Sequence, residues 1–216
     1  MGLEQRKYEW VGIGLLLSLS VIPLLAGIHR LWLIGIGSRL SENSRFLNDP
    51  LPVIVHIVSF AVYGPLGTTQ FSSSLRSRWR RHHRRIGTAL VTTGFGVILS
   101  GLWMTQFYPR VGHDGPVVYR LRMLAGSGAL LFLAIALISL CRQKFESHGR
   151  WMFRAYALAM GAGTQVLTHI PLFLFPLLQG ECGRAIAMGS GWFLNCVLVE
   201  WFIHKNSKRS KAGGPS

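Results

Sequence analysis

Acidic side chains are scarce. Asp and Glu total 8 among 216 residues, against 23 Lys and Arg, and charged residues of both signs make up only 14% of the chain. Glu4, Glu9, Glu42, Asp49, Asp114, Glu146 and Glu181 fall in connections or near the ends of apolar runs, which leaves Glu200 alone inside one. Such a distribution argues against paired-carboxylate metal centres and metal-assisted phosphoryl transfer. Cysteine is as thin: Cys141, Cys182 and Cys196 are spread so that neither a disulfide framework nor a thiolate metal site is expected. Nucleophile and nucleotide motifs of the G-x-S-x-G, H-E-x-x-H and P-loop types are missing. Gly12-Ile-Gly14 and Gly35-Ile-Gly37 lack the strand context of a dinucleotide fingerprint.

What the chain has instead is long apolar runs. Half of its residues are hydrophobic and its mean hydropathy is +0.35, more than a soluble domain of this size easily covers with polar surface. Spans are expected at Val11–Ile34, Leu51–Phe71, Ile86–Phe107, Tyr119–Leu140, Trp151–Ile170 and Arg184–Ile203, each near the ~20 residues that cross a bilayer. The fold expected is an all-α polytopic membrane bundle of six transmembrane helices with no soluble domain. Residues 1–205 form that single domain, followed by a disordered basic cytoplasmic tail over 206–216. The first run is too long for a signal-peptide core and lacks a small-residue cleavage site, so it is read as a retained helix.

The formal charge of +15 is then a matter of topology. With a cytoplasmic amino terminus, Arg6, Lys7, the Arg76–Arg85 cluster, the cations at 142–154 and those at 205–211 lie inside. They are 16 of the 23 Lys and Arg, as the positive-inside bias requires. Integral residence in a plasma or inner membrane with both termini cytoplasmic follows. Anionic headgroups are the expected partner of the cations, and nucleic acid is not.

Within the spans, Gly64-Pro65 and Gly67 predict a kinked or opened second helix, and Pro171 and Pro176 an end or bend of the fifth. Small residues four apart, Ala157 with Gly161, Ala159 with Gly163, and Gly183 with Ala187 and Gly191, predict close helix packing. Glu200 lies at a depth similar to Arg154, and a structural ion pair with Arg154 or with the basic loop is expected of it ahead of a proton relay.

Histidine carries the chemistry. His56 and His169 lie near the outer ends of helices 2 and 5, the latter ~27 Å along its helix at 1.5 Å per residue. His82, His83 and His148 sit at the inner boundary. Two imidazole levels on neighbouring helices are what a pair of transmembrane b-type haems requires. Arg84, Arg85, Arg150 and Arg154 would suit haem propionates, lipid phosphate or another anion. Each histidine also has a structural alternative, bonding helix backbone or polar neighbours such as Gln165 and Asn195.

Several blocks together resemble a known family. They are His56 with Gly64-Pro65-Leu66 and Gln70-Phe71; His83-Arg84-Arg85-Ile86-Gly87; His148-Gly-Arg150-Trp151-Met152-Phe-Arg154-Ala-Tyr156; and Trp192-Phe-Leu-Asn195 with Glu200. They resemble the multi-pass membrane family known as domain of unknown function 2306, over about residues 52–201. The resemblance implies a helical membrane fold and marks these positions, with Gln70, Asn195 and Glu200 as a structural polar cluster; it names no reaction. An arginine expected near Gln165 and Val166 is missing. Histidine placement alone is similar to transmembrane b-type cytochromes, by analogy only. Three functions fit these residues. One is a haem b redox protein with His56, His83, His148 and His169 as ligands and a quinone or other redox partner. A second is a cofactor-free binding or transport protein in which helix 2 moves, and the third is a membrane scaffold.

Overall fold

The computed structural model describes residues 3–38, 44–72, 80–110 and 112–212, and helices are the only regular structure among them apart from turns. In chain order they are α1 (Leu3–Gly35), α2 (Ser44–Asn48), α3 (Leu51–Gln70), α4 (Arg80–Phe107), α5 (Pro116–Cys141), α6 (Phe145–Ala159), α7 (Gly161–Thr168), α8 (Ile170–Leu174), a 3-10 turn at Pro176–Leu178, and α9 (Glu181–Ala212). Five of these, α1, α3, α4, α5 and α9, are each long and apolar enough to cross a membrane. The α6–α8 stretch, Phe145–Leu174, passes the same test as a helix pair bent by 44° and, fifth in chain order, brings the candidate crossings to six. The α9 helix runs to Ala212, over most of the segment expected to be irregular, while 213–216 lie outside the described residues, as do Arg76 and Arg78 of the basic cluster.

Packing follows the short connections. The α3 helix lies on α4, α4 on α5, and α5 on both α6 and α9; α1 leans on α3 and α7, and α9 closes against α6 and α7. Facing residues set an antiparallel register: Gly27 of α1 meets Ile57, Gly96 of α4 meets Ser59, and Gly126 of α5 meets Leu102. One end of the bundle therefore holds the end of α3, the start of α4, the Cys141–Phe145 turn and Lys205. It is the basic end, and the opposite one is the far end. Phe60, Tyr63, Leu90, Val97, Tyr156 and Met160 fill the centre, with Ile98, Ala129, Leu133 and Ala155 beside them. Large apolar side chains such as Leu15, Leu25, Leu124 and Phe193 point outward and are exposed, as a lipid-facing surface requires.

The fifth crossing bends, as expected of it, but at Met160 rather than at Pro171, and it ends before Pro176. The α3 helix stays continuous through Pro65, and two hydroxyls bond carbonyls beside the proline: Thr68 Oγ1 donates to Pro65 O at 2.7 Å and Tyr156 Oη to Gly64 O at 2.6 Å. The fifth crossing instead breaks at Met160, between Ala159 and Gly161. Two glycines within three residues, Gly161 and Gly163, weaken the helix there, and both are needed for close contact. A Cβ at Gly163 would lie 2.4 Å from Leu19 O, and one at Gly161 2.1 Å from Trp192 Nε1. Of the small residues expected to let the fifth and sixth spans approach, Gly161 and Gly191 do so, facing Trp192 and Gln165, whereas Gly163 faces Leu19 of α1 and Gly183 faces Leu178 of the preceding turn.

Because Leu19 O is backbone and has little room to yield, Gly163→Ala should cost about 1–3 kcal/mol as an overpacking change. Gly14→Ala, with nothing within 4 Å of its added Cβ, should be neutral or stabilising by up to about 1 kcal/mol. Thermal unfolding of the two variants in detergent checks this ordering.

Candidate functional site

The break in the fifth crossing is sutured by side chains. Carbonyls just before it accept donors from α9: Asn195 Nδ2 to Ala157 O at 2.9 Å and Trp192 Nε1 to Leu158 O at 3.2 Å. Thr164 Oγ1, just after it, donates to Asn195 Oδ1 at 2.7 Å. Farther along, Gln165 Nε2 reaches Met188 O at 3.2 Å and Thr168 Oγ1 reaches Ala187 O at 2.6 Å. The α7–α9 seam is thus a line of polar groups at membrane depth, where each unpaired one costs several kcal/mol. On the other flank, the Tyr156 ring lies 5.5 Å from that of Tyr63, centroid to centroid. The Tyr63 hydroxyl is buried and has no partner among the described residues, in a place where a buried donor ordinarily finds one. Interrupted helix, polar seam and unpaired hydroxyl together make the bundle centre the place best able to take up a polar guest.

The histidines do not share one interface. His56 Nδ1 lies 3.0 Å from both Val97 O and Ser100 Oγ, between α3 and α4, with its ring against Gly101. His148 Nδ1 faces Ala136 O on α5 at 2.9 Å, and His169 Nδ1 turns back onto Gln165 O of its own helix at 2.7 Å. A carbonyl only accepts, so the proton in each neutral ring is assigned to Nδ1 and the lone pair to Nε2. His83 is half-buried in the first turn of α4, where Arg84 and Arg85 are exposed, and Gln70 lies beside Gly87 one turn on. Arg150 pairs with Glu146 along one face of α6. Arg154 makes a bidentate pair with Glu200, Nε to Oε1 at 2.5 Å and Nη2 to Oε2 at 2.8 Å, and stacks 4.5 Å above Trp151. Among the described residues no group of three or more His, Cys, Asp or Glu is placed to hold a metal ion, and the three cysteines are free.

Sequence reading missed a second cluster, at the far end. Asp114 is buried there between Arg184, whose Nε is 2.5 Å from Oδ1, and Arg122, whose Nη1 is 2.8 Å from Oδ2. Burial pushes the Asp114 carboxyl up, but hydrogen bonds and charge from the two guanidinia outweigh it and hold the group below its usual range. A signal for this was present. All seven cations on the outward side of the expected topology, at 30, 39, 45, 110, 120, 122 and 184, are Arg, whereas every Lys is on the other side.

A family model described as "Predicted membrane protein (DUF2306)" matches residues 53–203. No curated protein and no solved structure matches the chain significantly.

The Arg154–Glu200 pair, 20% and 55% exposed at its side chains, yields a direct test. Arg154→Met and Glu200→Gln should each lower detergent stability, and the double variant should lose about 1 kcal/mol less than the sum of the two. Strict additivity in that cycle would show that the pair carries no coupling.

Proposed function

From membership of the DUF2306 family of predicted membrane proteins, to which this chain belongs through residues 53–203, we propose a cofactor-free activity inside the membrane: binding and passage of a small polar solute at the broken crossing. The observation that carries this is the bend at Met160, held by Asn195, Trp192 and Thr164 rather than by uninterrupted helix. Interrupted backbone at membrane depth is tolerated where it is buried in protein or lines a hydrated cavity, and in transporters such breaks mark the binding site. In this reading the moving part is α7, which pivots about Met160 and exchanges its bonds to α9 for bonds to the guest. Helix α3, expected from its Pro and Gly to move, serves as the wall that Tyr156 presses against.

One observation favours a second reading. In His56, His148 and His169 the Nδ1 position is taken by a backbone carbonyl. That is the arrangement that orients a metal-ligating imidazole and leaves Nε2 as the ligand. Haem b held by histidines, with arginines at its propionates and a quinone or other redox partner, is the alternative this supports.

One preparation separates the two. In a chain whose cysteines are replaced by serine, Thr164→Cys should react with a water-soluble thiol reagent, Leu131→Cys on the lipid face of α5 should stay inert, and protein from haem-replete cells should be colourless. Reduced-minus-oxidised haem bands would instead establish the redox reading. An unreactive Thr164→Cys would remove the hydrated path on which the binding proposal depends.

A further inference from the structure

Arginines from five segments converge at the far end of the bundle. Arg30 comes from α1, Arg45 from α2, Arg110 from the connection after α4, Arg122 from α5 and Arg184 from the first turn of α9. Arg30 and Arg45 flank the buried ring of Phe46, with guanidinium carbons 4.9 and 4.6 Å from its centroid. Arg110 lies 4.9 Å over the Tyr119 ring. Arg122 and Arg184 hold Asp114. A cleft opens between them, walled by Arg45, Tyr108, Arg110, Asp114, Tyr119 and Arg122.

Among the described residues three carboxylates are near: Asp114, with both oxygens engaged; Asp49, beside Tyr108; and Glu181, against Gly115. Arg45 and Arg110 form an ion pair with none of them. Arg45 stands out, because its Nε is buried and has no hydrogen-bond partner among the described residues, while its Nη1 reaches only Pro109 O at 3.4 Å. Burial and the charges of Arg122, Arg30 and Arg184 push its pKa down, with Asp114 opposing. Arginines that merely reach for the membrane surface spread outward into water. Here two hold one buried carboxylate and the others pack over the rings of Phe46 and Tyr119, and like charges brought together are stabilised when an anion joins them. The absence of Lys among the outward cations fits this, because a planar fork of donors grips a tetrahedral oxyanion in two-pronged fashion and an ammonium does not.

We propose that this far-end cleft is a phosphate-binding site, with Arg45 and Arg110 as the gripping residues and Arg122 and Arg184 positioned by Asp114 to complete the field. The cleft is shallow, so a phosphate group sits at its mouth with its oxygens directed at Arg45. Such a group arrives either on a lipid headgroup or as soluble phosphate. The proposal stands on the far-end geometry alone and does not depend on the α7 pivot.

The test uses the full chain in maltoside micelles, which contain no phosphate, at constant ionic strength set with chloride. Inorganic phosphate and phosphatidylglycerol are titrated separately while Tm is followed. Arg45→Gln and Arg110→Gln leave the Asp114 pairs intact and each removes one cation–π contact, so without anion their Tm should stay close to that of the parent chain. A rise in Tm with inorganic phosphate assigns a soluble ligand, and a rise with phosphatidylglycerol alone assigns a lipid headgroup. In either case Arg45→Gln should weaken the effect about tenfold, and the Arg45→Gln/Arg110→Gln double variant should abolish it. No rise with either probe, the same rise with extra chloride, or equal rises in parent and double variant would overturn the site.

Discussion

A backbone carbonyl in hydrocarbon has no water to turn to, and leaving it unpaired costs several kcal/mol. This chain breaks its fifth crossing at Met160, and the rest of the bundle is arranged to supply the donors. Tyr156, at the end of α6, reaches across to Gly64 O. Asn195 and Trp192 on α9 reach back to Ala157 O and Leu158 O. The helices carrying these groups can approach because the facing positions are glycine, as at Gly67 under Tyr156 and Gly161 under Trp192. Close packing and polar satisfaction are therefore one constraint seen twice, since adding a methyl group at either glycine would move the donor that the break requires.

The two ends of the bundle handle charge differently. Among the described residues, most cations at the basic end are dispersed and exposed, as Arg81, Arg84 and Arg85 show, and Arg154 is matched one to one by Glu200. At the far end a single buried carboxylate organises two arginines, and Arg45 and Arg110 have no carboxylate partner among the described residues. Dispersed cations next to a membrane are explained by topology and headgroup attraction. A converging set is not, and that difference is the reason to read the far end as a site.

Much of the architecture is legible in the sequence, because hydropathy and length decide which segments must be helical in lipid. The expected boundaries of the third crossing, Ile86–Phe107, end where α4 ends, and those of the fourth, Tyr119–Leu140, lie just inside α5. The polar pair Arg154 and Glu200 was legible from depth alone. The location of the break was not. Pro65 is the louder local signal, yet α3 stays helical through it, whereas Met160–Gly163 breaks where donors and space are provided by α9 and α1, which lie far away in sequence. Likewise, Asp114 reads as an ordinary loop acid until Arg184, seventy residues later, is folded against it. The histidines were legible as a set by depth, but depth does not reveal the interface, and α3–α4, α5–α6 and the end of α7 are different interfaces.

Hydrogen exchange at the break tests the central claim most directly. If α9 side chains hold the bent crossing together, replacing Asn195 by Leu and Trp192 by Phe should speed exchange of the amides over residues 160–164, while amides of α5 at the same depth stay unchanged. Exchange that is unaltered by the two replacements, or accelerated equally in α5, would contradict the account.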